Sequence, residues 1–171
     1  MKFIVFKPIV CVGAGLLAAA LVPSIAHAQY PGNFMPPPPM GAQQTPDAQR
    51  SAANGVRSQV GWLQNAMRTA PNYGTGGVGM IWQQFQSLRA AYVNFTATLT
   101  SDQAAVGANE FAELSAGLDI LQESFTNYQN DVDSGRDPRS ALRDLCQVLN
   151  QASAVWLQEF NRDRARIRAG R

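Results

Sequence analysis

Across residues 45–160 the apolar side chains of this chain return every three or four positions, and that period leaves few folds open. Residues three and four apart share one face of an α-helix, whereas a strand needs alternation every second residue. The first run is Ala53, Val56, Val60, Leu63, Met67 and Ala70. The second is Val78, Ile81, Phe85, Leu88, Tyr92, Phe95 and Leu99, and the third is Phe111, Leu114, Leu118, Leu121, Phe125, Tyr128 and Val132. Leu142, Leu145, Leu149, Ala152, Trp156 and Phe160 form the fourth. A helix with one apolar stripe cannot bury it alone, so four stripes require helices packed on one another around a shared core.

Breaks between the runs carry helix-end chemistry. Thr45 stands where an N-cap is needed, with Pro46 at the first helical position and Asp47 in the first turn. Residues 71–77, PNYGTGG, read as a breaker-rich loop. Gly135 suits a helix C-terminus, and Asp137 with Pro138 repeats the cap-then-proline start. The expected fold is therefore all-α, an antiparallel four-helix bundle of up-down-up-down topology over residues 47–171. About 125 residues are enough for one core. A pair of longer helices that dimerises is the alternative, because the third and fourth segments are long. Gly107 and Gly117 weaken the third segment, and its first turns read as a separate short piece.

Ahead of the helices, residues 29–46 hold six of the chain's ten prolines, with an unbroken run at 36–39. Such a stretch forms neither a helix nor a central strand and is expected to be an extended, flexible linker. It serves as a spacer or, alternatively, as a ligand for a proline-recognition module. Residues 1–28 have the three parts of a cleavable signal peptide. Lys2 and Lys7 precede an apolar stretch too short to span a bilayer comfortably, and Ala26 and Ala28 supply small residues before the cut. An uncleaved anchor is the competing reading. The expected destination is the periplasm or the exterior.

Cleavage after Ala28 changes the chemistry. Both lysines, the single histidine His27 and one of two cysteines, Cys11, leave with the signal. Twelve arginines then face twelve acids, so the mature formal charge is zero rather than +2. A balanced chain is not a general nucleic-acid binder. Without histidine there is no Ser-His-Asp or Cys-His nucleophile system, and histidine-bearing zinc or di-iron sites are excluded. Glu110 and Glu113 lie one turn apart, but such neighbours are ordinarily a solvated pair rather than an acid–base couple. No enzyme activity and no cofactor are expected.

Three features remain as candidates for function. Leu99-Thr100-Ser101-Asp102-Gln103 matches the Leu-Thr-x-x-Gln signature and in this resembles small, exported, all-helical periplasmic stress proteins of the Spy/CpxP type. Those proteins carry the motif twice, while here it occurs once, over five residues. The resemblance implies a chaperone-like envelope role. The same letters also spell a capping box, in which Thr100 and Gln103 satisfy each other's backbone amides.

Cys146 is the lone cysteine of the mature chain. It is either a small buried hydrophobe or the site of an intermolecular disulfide in an oxidising compartment. Charge is also uneven. Residues 102–137 hold eight acids and one arginine, whereas Arg162, Arg164, Arg166, Arg168 and Arg171 crowd the last ten positions with only Asp163 among them. Arginines at a helix C-terminus complement its dipole. They also form a candidate polyanion-binding surface for lipid headgroups, lipopolysaccharide or an acidic protein, and the acidic third helix is itself an available partner.

The expected function is that of an exported, non-enzymatic binding, scaffold or chaperone-like module of the periplasm or envelope. Its partner is a protein or a second copy, as in a homodimer. The alternative is a membrane- or polyanion-associated protein acting through the arginine-rich C-terminal helix, with peripheral envelope contact.

Overall fold

The computed structural model describes residues 45–169. The expected signal peptide at 1–28, the linker up to residue 44, and Arg171 lie outside these residues. What is described is all-α, with no strand among the described residues. The elements are α1 (Pro46–Thr69), a 3₁₀ turn (Ala70–Gly76), α2 (Gly77–Ala97), short α3 (Ser101–Val106), α4 (Ala108–Asp133) and α5 (Pro138–Arg168).

Each start has a local chemical cause. The Thr45 hydroxyl accepts from the Ala48 amide at 3.1 Å, with Pro46 occupying the first helical position. Asp137 caps α5 by accepting from the amides of Arg139 and Ser140 at 3.4 and 3.0 Å. Between these helices Gly135 takes the left-handed conformation, φ 88°. Its amide donates to the Val132 carbonyl at 2.9 Å and the Arg136 amide to Asp131 at 3.0 Å, closing the open carbonyls of α4. The Arg136 guanidinium then bridges Asp131 on α4 and Asp144 on α5, clamping the connection.

Two boundaries differ from the sequence reading. Residues 71–77 are not an open loop: a 3₁₀ turn begins at Ala70, whose side chain is fully buried. The second helix stops at Ala97 instead of running through Leu99. The reason is Thr100, whose extended backbone (ψ 161°) is required for its capping role and is incompatible with a continuing helix. The third segment does divide at Gly107, into α3 and α4.

The core draws on all four long helices. Val56, Val60 and Leu63 of α1, Phe85 and Leu88 of α2, Leu118 and Phe125 of α4, and Leu145 and Leu149 of α5 are buried in one cluster. Towards the end where α5 finishes, the core is aromatic. Tyr92 and Trp156 meet edge-on at 5.6 Å, as do Phe95 and Phe160 at 5.0 Å. Both polar rings are tied to α4: Trp156 Nε1 donates to the Leu114 carbonyl at 2.8 Å and Tyr92 Oη to that of Phe111 at 2.9 Å. Val78, Phe111, Val132 and Ala152, expected in the stripes, are only partly buried at the edge of this core.

Candidate functional site: an arginine cluster where α1 meets α5

The last turns of α5 were legible in the sequence only as a basic run; packing sorts those arginines by face. Arg162 folds onto its neighbour Asp163, Nε to Oδ1 at 2.9 Å. Arg166 reaches α4 and pairs with Glu110 at 3.4 Å, so the acidic third segment does neutralise part of the run within one molecule. Arg171 lies outside the described residues. Arg164 and Arg168 take a different course, because a helix turns 100° per residue and positions 164 and 168 share a face that 162 and 166 do not. No acidic partner reaches either of them among the described residues.

Their neighbours are arginines of α1. Arg50 lines the same small pocket as Arg164 and Arg168. Its one ion pair, to Asp47 at 3.6 Å, joins two exposed side chains on one helix and neutralises little. Arg57 is held by neutral groups instead, donating to Asn161 Oδ1 at 2.8 Å and Asn54 Oδ1 at 3.3 Å. The Arg164 guanidinium is held below the usual arginine range first by burial, then by the positive charges of Arg57, Arg168 and Arg50. Its Nη1 is buried with no hydrogen-bond partner. A buried, charged donor left open is costly, and natural structures rarely tolerate one without a ligand or water.

The pocket encloses about 50 Å³. Its apolar lining comes from Phe95 of α2, Leu99 just beyond that helix and Ile167 of α5. Gln49 and Gln103 complete the wall and are joined to each other by one hydrogen bond. Gln49 Nε2 donates to Gln103 Oε1 at 2.6 Å and to the Thr98 carbonyl at 2.9 Å. The Leu-Thr-x-x-Gln stretch therefore has a describable place. Thr100 and Gln103 form a capping box, Thr100 Oγ1 accepting from the Gln103 amide at 3.3 Å and Gln103 Oε1 from the Thr100 amide at 3.1 Å. Through Gln49 the same box fastens α3 to the start of α1, and Leu99 and Gln103 both face the pocket.

Other candidates are dispersed. Cys146 is half-buried and free, and burial raises its thiol above the usual range. Glu110 is engaged with Arg166, and Glu113 is exposed. No group of three potential metal-ligating side chains forms among the described residues, and no helix there is long and apolar enough to cross a membrane.

Two features escaped the sequence reading. One is the joining of Arg50 and Arg57 to Arg164 and Arg168, which no periodicity reveals because the two pairs lie over a hundred positions apart on different helices. The other is Asp163, only 2% exposed despite its arginine-rich surroundings. It did have a signal: Trp156, Phe160, Asp163 and Ile167 follow the same three-and-four spacing, which places the acid on the buried stripe. Comparison with family models, with curated proteins and with solved structures finds no match to this chain.

Proposed function

We propose that this chain is an exported, non-enzymatic helical-bundle protein that acts by binding in the periplasm or cell envelope, as a scaffold or chaperone-like module. The four long helices are read as an up-down-up-down bundle, supported by the short turns between successive helices and by the contacts of α1 with α2, α4 with α5 and α1 with α5. The mature chain's lack of histidine and lysine supports a binding rather than a catalytic role. One observation carries the reading: Arg57, Arg164 and Arg168, which no acid pairs with among the described residues, gather with Arg50, whose exposed partner Asp47 neutralises little, in a mature chain of zero formal charge. Concentrated charge of one sign on a neutral protein marks a surface that meets a partner of the opposite sign.

A photo-crosslinker placed at position 168 of the exported protein tests this in cells. A dominant adduct at 168 that is missing from a probe at Arg143, at the far end of α5, is the expected outcome. Identical adduct patterns at both positions would sink the reading. Association with a polyanionic envelope surface through α5 alone is the second reading, favoured by Arg168, which is exposed and unpaired by any acid among the described residues. The two separate on α1: Arg50→Gln and Arg57→Gln weaken binding in the first case and leave it unchanged in the second.

A further inference from the structure

Resting on that reading of the arginine end as the binding surface, we infer that the pocket between α1, α2 and α5 is a site for a single phosphate group, held by Arg164 with Arg50 and Arg168 at its rim. Three observations converge on this ligand. The first is size. About 50 Å³ is room for a few waters, and a single phosphate is of that scale. The second is charge. A carboxylate brings one negative charge and is satisfied by one bidentate guanidinium. Phosphate brings between one and two near neutral pH and three acceptor oxygens, matching Arg164 and Arg168, which have no acid partner among the described residues, and Arg50, whose exposed Asp47 neutralises little.

The third is the open donor. Arg164 lines this pocket, and its Nη1, shielded from solvent, has no hydrogen-bond partner, so the guanidinium has a donor that a small shift can turn to an anion. Gln49 Nε2 is already committed to Gln103 Oε1 and to the Thr98 carbonyl, so the charged donors that line the pocket are the guanidinium groups. Phe95, Leu99 and Ile167 keep water from the inner side, where lower polarity strengthens a charged hydrogen bond. Arg57 stands behind Arg164, fixed by Asn54 and Asn161, and adds field without needing contact. An anion in the pocket relieves the mutual repulsion of four cations, so the bound protein is also the more stable one.

Titration calorimetry of the whole mature protein with inorganic phosphate, at constant ionic strength, tests the site. One phosphate per chain is expected, together with a rise in melting temperature. Arg164→Gln should weaken binding about tenfold or more. Arg168→Gln, at an exposed position that cannot upset folding, should weaken it measurably and keeps the test decisive if the Arg164 variant fails to fold. Arg166→Gln, from the same basic run but paired with Glu110, should leave it unchanged. In a second arm, vesicles carrying a phosphomonoester headgroup are compared with vesicles of equal charge carrying only phosphodiesters.

Preference for the monoester places the phosphate on a lipid surface, and inorganic phosphate binding without vesicle binding assigns the pocket to a free phosphate compound. Absence of saturable phosphate binding, or equal losses from Arg164→Gln and Arg166→Gln, overturns the site. Salt-sensitive vesicle binding that ignores Arg164 overturns the pocket alone and leaves the wider binding surface standing. Failure of phosphate, vesicles and the cellular crosslink together removes both.

Discussion

Asp163 shows what a single residue costs and does in this protein. Its carboxylate is buried, and its hydrogen bonds come from the adjacent Arg162, whose own side chain is largely in solvent. A buried ion pair is a weak source of net stability, but removing one partner strands the other charge. Arg162→Gln should therefore lower the urea midpoint, while the same change at the surface-paired Arg166 moves it little. If both variants are equally stable, Asp163 is not relying on Arg162. Nearby Tyr92 is raised well above the ordinary tyrosine range, first by burial and then by the negative charge of Asp163. An unfolded tyrosine ionises near pH 10, at about 10, whereas the folded one keeps its proton. In that window the unfolded chain binds fewer protons than the native one, so stability present below it falls as pH rises. A urea midpoint that is steady to about pH 10 and drops beyond it is expected, with a shallower drop for Tyr92→Phe. Part of the drop should persist in that variant, because burial also raises Tyr128. The thiol of Cys146, raised by burial, should react with iodoacetamide more slowly in the native protein than in urea.

At the level of the helix, local propensity and packing pull apart at two glycines. Gly61 sits exposed inside α1, and a Cβ there would meet nothing within 4 Å. Gly61→Ala should raise stability by roughly 0.5–1 kcal/mol, the ordinary helix preference for alanine. Gly117 has the same local preference inside α4, yet a Cβ there would stand 2.8 Å from Trp156 Cδ1. Because Trp156 is locked by its bond to the Leu114 carbonyl, it cannot retreat freely. Gly117→Ala should lower stability by about 1–3 kcal/mol, and thermal melts of the two variants shifting in one direction would contradict this account. From sequence Gly117 reads as a weak point of the helix; packing makes it the space that an indole from another helix occupies. The caps are the opposite case, since Thr45, Thr100 and Asp137 act within three residues of themselves. Asp137→Ala should cost about 1 kcal/mol.

For the whole molecule, the expectations concern processing and charge. N-terminal sequencing of the exported form should begin at Gln29; retention of residues 1–28 would restore Lys2, Lys7 and His27 and remove the premise of a neutral, histidine-free protein. Binding through the arginine end should weaken steeply between low and physiological salt, because exposed charges such as Arg50 and Arg168 act through a screened field. Binding indifferent to salt would point to an apolar surface instead.

Helix positions, their caps and most of the core follow from short-range periodicity, because a helix's buried face is set by residues three and four apart. That is why Val56 to Leu63, Ile81 to Leu88 and Leu114 to Phe125 were identifiable as core before any fold was known. The same rule, applied one residue further, would have marked Asp163 as buried. What it cannot reach is the pairing of faces between helices distant in the chain. Whether Arg164 meets an acid or another arginine depends on which side of α1 packs against α5, and that choice belongs to the core as a whole. A basic run spread evenly along a helix thus becomes two neutralised arginines on one side and an uncompensated cluster on the other.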